Sequence, residues 1–459
     1  MGDNENRKVY KARQVKNYRE MVEYSCKNYA QNIAYKYKKD YTAKNVEYIE
    51  KTYEQVGKDI KAFGTGLLNL DLMGERIVVV GKNRYEWCIS YLATTCSNMV
   101  IVPIDKALPD IEMQRLIERS EAKAIIFDEK YLETIKKVQE KENSNLKTLI
   151  CMDNIQEKGI KTFNEILEEG RNQIKNGDQK YDNIEIDENK MSIMLFTSGT
   201  TNEPKAVMLS QANICANISN IACWVKLYPT DVLLSFLPIH HTFECTITFL
   251  YGFYSGSQVA FCDGLKHIQQ NLKEYKVSVF VAVPLVLETM YKKIQKAIEE
   301  QGKTGLIKKM TKISNTLLKA KIDIRKIVFK QILDNFGGHL RVVLYGAAPM
   351  DKATIEWYND LGIELIQGYG LTETSPVVTA ETDKEKRPGS IGLALANLNL
   401  KIANPDNEGV GEITVKGPSV MLGYYKNPEE TKKVLKDGWF STGDYGYKDK
   451  DGFVYITGR

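Results

Sequence analysis

Residues 76–104 read RIVVVGKNRYEWCISYLATTCSNMVIVPI, and this stretch decides the fold class. Arg76 to Gly81 is a short run of β-branched residues, the pattern of a strand buried on both faces. Tyr85 to Thr95 carries apolar residues at helical spacing, and Met99 to Ile104 is a second buried strand. Strand, helix and strand in this order predict a parallel pair joined by a crossover helix. The pattern extends outward on both sides. Upstream, apolar spacing predicts a helix over Val46 to Leu70. Downstream come a helix over Ile111 to Ser120 and a strand over Ala124 to Phe127. Further strands are predicted at Met191 to Phe196, Val232 to Phe236, Val277 to Val283 and Leu340 to Tyr345, with a helix over Ser210 to Val225. From about Lys384 the texture changes. Glycines punctuate short strands such as Glu412 to Val415 and Phe453 to Ile456. The expected fold is α/β with mostly parallel sheets: two intertwined α/β subdomains over residues 1–383 and a β-rich subdomain over 384–459.

Composition narrows the function classes. The chain has 459 residues, with 63 Lys and Arg against 59 Asp and Glu, too even a balance for a dedicated nucleic-acid binder. Its eight cysteines form no C-x-x-C pair and none lies beyond Cys262, so neither a zinc ligand set nor a disulfide framework is expected. That usage points to a reducing cytoplasm. Four histidines argue against a multi-histidine metal centre. The residues from Met1 to Gln14 are polar and basic, unlike a secretory leader. Val277 to Leu287 is the longest apolar run, about half of what a membrane span requires. Charge is unevenly placed, however. Residues 291–330 hold twelve basic and three acidic residues, a net +9, which leaves −5 over the remainder. Leu306, Met310, Ile313, Leu317 and Leu318 recur there at helical spacing, predicting a basic amphipathic helical hairpin. Two readings stand for it: a solvated helix face, or a surface for anionic lipid at the inner face of the membrane or for an anionic substrate. Oligomeric state is not visible in the sequence.

The stretch richest in chemistry is Phe196-Thr-Ser-Gly-Thr-Thr-Asn-Glu-Pro-Lys-Ala-Val207, directly after a predicted strand. Small hydroxyl residues let backbone N–H and side-chain O–H groups converge on phosphate oxygens, while Lys205 supplies a point charge. The stretch lacks the G-x-x-x-x-G-K-S/T pattern of a Walker loop. Gly302-Lys303-Thr304 comes near that pattern, but Ala297 stands where the first glycine is needed, and we set it aside.

Thr197 to Lys205 resembles the phosphate loop of the adenylate-forming enzymes, the superfamily of acyl-CoA synthetases, luciferases and peptide-synthetase adenylation domains. Its usual form is T-S-G-T-T-G-x-P-K-G, from which this chain departs at Asn202 and Ala206. Further similarities follow in the family's order. Gly368-Tyr-Gly-Leu-Thr-Glu-Thr374 is similar to the Y-G-x-T-E signature, Gly346-Ala-Ala-Pro-Met350 to the turn lining the adenine, Ser441-Thr-Gly-Asp444 to the ribose motif, and Gly458-Arg459 to the start of the next motif. The resemblance implies ATP and AMP binding by Thr197, Ser198, Gly199, Thr200, Thr201, Gly346, Ala347, Ala348, Gln367, Gly368, Tyr369, Gly370, Thr372, Asp444 and Arg459. Tyr369 would stack on adenine, Asp444 would accept from the ribose hydroxyls, and Thr197 with Glu373 would hold Mg²⁺. Lys205, Thr372, Glu373 and His241 are the implied catalytic residues.

Within the superfamily, Leu237-Pro-Ile-His-His-Thr-Phe-Glu244 is similar to an L-P-x-x-H motif, with His241 as the histidine that lines the acyl pocket. The aspartate that amino-acid-activating relatives place just after it is missing, although Glu244 stands near. Val281 to Tyr291 resembles the apolar wall of long-chain acyl-CoA synthetases, which implies acyl contacts from Val283 and Pro284. The basic insertion and Ile327 to Arg341 follow the same branch. Trp224 is either an acyl-channel residue or a core tryptophan. The resemblance implies a two-step reaction: a fatty acid is adenylated by ATP, and coenzyme A then takes the acyl group. Transfer to a carrier protein, activation of aryl or short acids, and a non-catalytic acyl-adenylate-binding module stay open as alternatives. The family continues past its G-R motif into a C-terminal lid of about one hundred residues, itself domain-sized. The expectation is therefore a large N-terminal domain without its lid, with impaired adenylation.

Overall fold

A computed structural model describes residues 4–197 and 203–459. Three sheets organise these residues. The first has eight strands, and the opening stretch forms its centre. Arg76–Val80 lies between Val100–Pro103 and Ala124–Phe127, parallel to both. Thr148–Cys151 and Ile160–Thr162 extend one side in parallel, and Met191–Thr197 joins the other next to Val100–Pro103. Lys205–Ser210 turns back antiparallel on Met191–Thr197, with Thr197 opposite Lys205. Gly423–Tyr424 closes that edge.

The second sheet has nine strands and is parallel through its middle. Glu364–Gly370, Val342–Tyr345, Val279–Ala282, Val232–Ser235, Gln258–Phe261 and Ile33–Lys38 run alike. Antiparallel strands flank it: Val377–Ala380 with Leu393–Ala394 at one edge and Tyr48–Thr52 at the other. The third sheet is antiparallel and has five strands, all from Asn399 onward. The glycine-punctuated tail thus contributes strands to all three sheets.

One local expectation needs correction. The helix predicted over Val46 to Leu70 starts only at Tyr53, and Tyr48–Thr52 is an edge strand. The reason is local. Thr52 caps the helix, accepting from the Gln55 amide while the Gln55 side chain accepts from the Thr52 amide. This reciprocal pair fixes the start and leaves the residues before it extended. The helix Tyr53–Leu68 then packs on Phe163–Lys175, with the Phe63 and Phe163 rings stacked at 4.5 Å. Gly170 lets the two backbones touch, because a Cβ there would lie 1.8 Å from the Ala62 carbonyl oxygen. The basic segment forms two helices, Pro284–Glu300 and Thr304–Lys319, followed by short turns at Arg325–Val328 and Lys330–Leu333.

Candidate nucleotide and acyl site

The motif residues converge where the three sheets meet. Gln211–Trp224, the helix after the Thr197–Lys205 hairpin, is the central support. Ser210 caps it in a reciprocal pair with Asn213. Two buried asparagines one turn apart then tie it to its neighbours. Asn213 donates to the carbonyls of Pro418 and Val420, at 2.7 and 3.0 Å. Asn217 donates to the Val377 carbonyl at 2.7 Å and accepts from the Val377 amide. Buried amides satisfied on both sides act as rigid struts. Sequence reading passed over them, although two asparagines at i and i+4 on a mostly apolar helix are a legible signal.

Tyr369 and Asp444 form one cluster. The Tyr369 hydroxyl donates to the Asp444 carboxylate at 2.6 Å, and the Arg459 guanidinium approaches the other oxygen at 3.4 Å. Burial, and then the carboxylate beside it, hold the Tyr369 hydroxyl well above its ordinary pKa. A backbone irregularity sets this up. Glu412 pairs with Tyr445 and Thr414 with Ser441, so Thr442, Gly443 and Asp444 face Ile413 alone. Gly443 takes φ +74 in this bulge, which aims Asp444 toward Tyr369.

A second cluster surrounds the phosphate hairpin. Residues 198–202, and with them the predicted phosphate ligands Ser198, Gly199, Thr200 and Thr201, lie outside the described residues. Their flanks are defined. The Thr197 hydroxyl points back to the Lys205 carbonyl, and Lys205 Nζ pairs with Glu430 at 2.8 Å. The ammonium also lies 5.1 Å from the centre of the Tyr424 ring, and the Tyr424 hydroxyl donates to Glu373 at 2.9 Å. Tyr424 therefore stands between the predicted phosphate lysine and the predicted metal carboxylate. Neither Tyr424 nor Glu430 was found by sequence reading, and no local pattern marks them. Thr372 opens the turn Thr372–Thr374 that carries Glu373. Thr197 and Glu373 offer hard oxygen donors, and Mg²⁺ commonly takes only one or two protein ligands beside water and phosphate. The donor set fits that ion.

Gly346 begins the third cluster. A Cβ there would lie 2.7 Å from the Gly368 carbonyl, so the two motif backbones can meet only at glycine. Ala347, next to it, takes φ +71, a strained conformation for alanine. The Tyr345 hydroxyl donates to the Gln367 side chain at 3.0 Å. Beneath these residues is a small apolar cavity, and Trp224, Phe243, Ile247, Gln367 and Gly368 are among its walls. Trp224 is fully buried there. Val283 and Pro284 are placed elsewhere. They start the helix Pro284–Glu300, with proline in the first turn where no N–H is needed, and they do not line this cavity.

The histidine segment lies beside the cavity. Asn83 holds it, donating to the Leu237 carbonyl at 2.7 Å and to the Ser235 hydroxyl at 2.9 Å. The rings of His240 and His241 are 4.1 Å apart. His241 reaches solvent, while His240 is largely covered and faces Asp105 at 3.8 Å. Burial, and then the neighbouring His241, push His240 down to about 3. Glu244 is fully buried in the π-helical stretch Glu244–Tyr251, and its two oxygens hydrogen-bond the hydroxyls of Ser235 and Thr248 at 2.7 and 2.8 Å. Burial raises its carboxyl to about 8. With both oxygens bonded and the group neutral at pH 7, Glu244 offers no charge to an amino group.

Residues 22–425 match the AMP-binding enzyme family. The chain belongs to that family. It is 30% identical over 441 residues to long-chain-fatty-acid–CoA ligase 6 of Mus musculus, covering 89% of this chain and 62% of that protein. It is 28% identical to long chain acyl-CoA synthetase 4 of Arabidopsis thaliana, covering 90% of this chain and 66% of the relative. The chain therefore spans under two thirds of the length of these relatives. Its fold superposes on the inhibitor-bound N-terminal domain of FACL13 from Mycobacterium tuberculosis with a TM-score of 0.74, at 21% identity, covering 97% of this chain and all of that domain. The α/β architecture with mostly parallel sheets is thus the fold of that N-terminal domain.

Proposed function

We propose that this AMP-binding chain activates a long-chain fatty acid as its acyl-adenylate and passes the acyl group to coenzyme A. The observation that carries the reading is the Tyr369–Asp444 hydrogen bond beside Arg459. It joins an aromatic face suited to adenine and a carboxylate suited to ribose hydroxyls in one rigid unit. The named activities of the similar ligases support the choice of fatty acid and coenzyme A.

In the first step a fatty carboxylate oxygen attacks the α-phosphorus of ATP, and pyrophosphate leaves. A carboxylate is already a nucleophile at pH 7, so positioning and charge neutralisation carry the step. Lys205 neutralises the departing phosphates, and Tyr369 and Asp444 fix the nucleoside. Mg²⁺, held through Thr197 and Glu373, would offset phosphate charge. In the second step the thiol sulfur attacks the acyl carbon, AMP leaves, and the thiol proton passes to solvent. His241, exposed two residues before the cavity-lining Phe243, is assigned to the acyl path on the resemblance of its motif. Glu244, buried and with both oxygens already engaged by Ser235 and Thr248, disfavours an amino acid as substrate.

Titration with acyl-sulfamoyl adenosines, which mimic the adenylate without reacting, tests the reading. Affinity should rise from butyryl to octanoyl to palmitoyl, and AMP should compete. Absence of binding, or preference for the butyryl or an aminoacyl analogue, would refute it.

A further inference from the structure

The basic helices after Pro284 carry charge and apolar surface that neither the fold nor the proposed chemistry uses. The helix Thr304–Lys319 contains four lysines and no acidic residue. Its inner face is settled. Ile307 and Met310 pack on the core of the second sheet, and Ser314 is buried. The flank beside that face is apolar yet open. Leu306 and Ile313, two turns apart on one line, are 54% and 47% exposed. Lys309 and Lys312 project on the next line around the helix, and Lys308 lies further round. These three lysines form no ion pair among the described residues, although Lys296 and Lys330 in the neighbouring helices do. Beyond the helix, Ile322 is 52% and Ile327 79% exposed.

Exposed aliphatic side chains bordered by unpaired lysines are the pattern of a helix lying in a bilayer interface. There the aliphatic groups reach the acyl boundary and the ammonium groups meet lipid phosphates. With no acidic residue at i+3 or i+4 on this helix, nothing local offsets the charge of these lysines. Nucleic acid would be met by arginine and aromatic side chains, and the exposed large apolar groups here are leucine and isoleucine. No helix among the described residues is long and apolar enough to cross a membrane, so any contact of these helices is with a surface. We infer that the face presented by Leu306, Ile313 and the lysines 308, 309 and 312 docks on an anionic phospholipid bilayer. This inference is independent of the chemistry proposed above.

Sedimentation with vesicles, in the absence of nucleotide and fatty acid, tests it directly. The chain should bind phosphatidylglycerol-containing vesicles, bind pure phosphatidylcholine vesicles much more weakly, and release as salt is raised. At about 1 kcal/mol for each lysine near the surface, Lys308→Gln, Lys309→Gln and Lys312→Gln together should weaken binding at low salt on the order of a hundredfold. Leu306→Ser with Ile313→Ser should weaken it while leaving the salt dependence in place. All five positions lie on the surface, and an unchanged melting temperature would exclude misfolding. Equal binding by parent and variants, no preference for anionic vesicles, or tighter binding to duplex DNA at equal phosphate concentration would overturn the inference.

Discussion

Lys205 and Glu430 form an ion pair at 2.8 Å beside the phosphate hairpin, joining the strand Lys205–Ser210 to the short helix Pro428–Val434. The lysine that the proposed mechanism aims at phosphate is thus already occupied by a carboxylate. Lys205 and then Lys433 hold Glu430 below its ordinary pKa, so the pair persists at neutral pH. Incoming phosphates must compete with it. Glu430→Gln should tighten pyrophosphate and ATP binding about fivefold, the equivalent of ~1 kcal/mol for one ion pair. Lys205→Ala should weaken both by about 2 kcal/mol, typical of a hydrogen bond to a charged group. Calorimetric titration of both ligands reads the two effects. Weaker pyrophosphate binding by Glu430→Gln would contradict the competition.

Asp444 should recognise the ribose. Asp444→Ala is expected to weaken AMP binding by about 2 kcal/mol, with little change for 2′,3′-dideoxy-AMP. Tyr369→Phe removes only the donor that orients Asp444 and should cost about 1 kcal/mol. Equal losses for AMP and its dideoxy analogue would show that Asp444 acts through folding alone.

Glu244 makes stability depend on pH in a direction opposite to that of ion-paired carboxylates. Its folded pKa is raised to about 8 from an ordinary 4.5. Between these values the folded state holds a proton that the unfolded state has lost, so stability falls as pH rises across this window. The slope from this one group reaches at most about 1.4 kcal/mol per pH unit. Glu244→Gln, neutral throughout, should remove that slope, and urea denaturation at several pH values will show it. Identical pH profiles for parent and variant would refute the assignment.

Gly170 should tolerate no side chain. The Cβ of Gly170→Ala would meet the Ala62 carbonyl at 1.8 Å, and relief requires the two helices to separate. A loss of about 3 kcal/mol or more is expected, in the range of overpacked cores. Gly177→Ala is a contrasting control, since no atom lies near its Cβ position, although its φ of +90 carries its own smaller penalty.

Much of this was legible in the sequence where information is local. The buried strands at Arg76, Met99 and Ala124 announce themselves by composition, and the motif residues are recognisable by type and order. Val46 to Leu70 misled because Ile49 and Tyr53 continue the helical stripe of Val56 and Ile60, while the cap formed by Thr52 and Gln55 marks the true boundary. By sequence Glu244 is only an acidic residue near the missing aspartate, and its position shows that Ser235 and Thr248 occupy both of its oxygens. Tyr424 and Glu430 could not be found by pattern. They reach Glu373 and Lys205 only because Gly423–Tyr424 pairs with a strand far earlier in the chain.

That distant pairing has a consequence for biosynthesis. The strand Lys205–Ser210 leaves the ribosome long before Tyr424 does, and Val207 must wait roughly two hundred residues for its partner. Until then the phosphate hairpin is the unpaired edge of a largely finished sheet, the kind of surface that recruits foreign strands. Nascent chains should be most prone to aggregation within this interval. Slow translation between the hairpin and Gly423 would lengthen that exposure, and a chaperone that shields open sheet edges would act there.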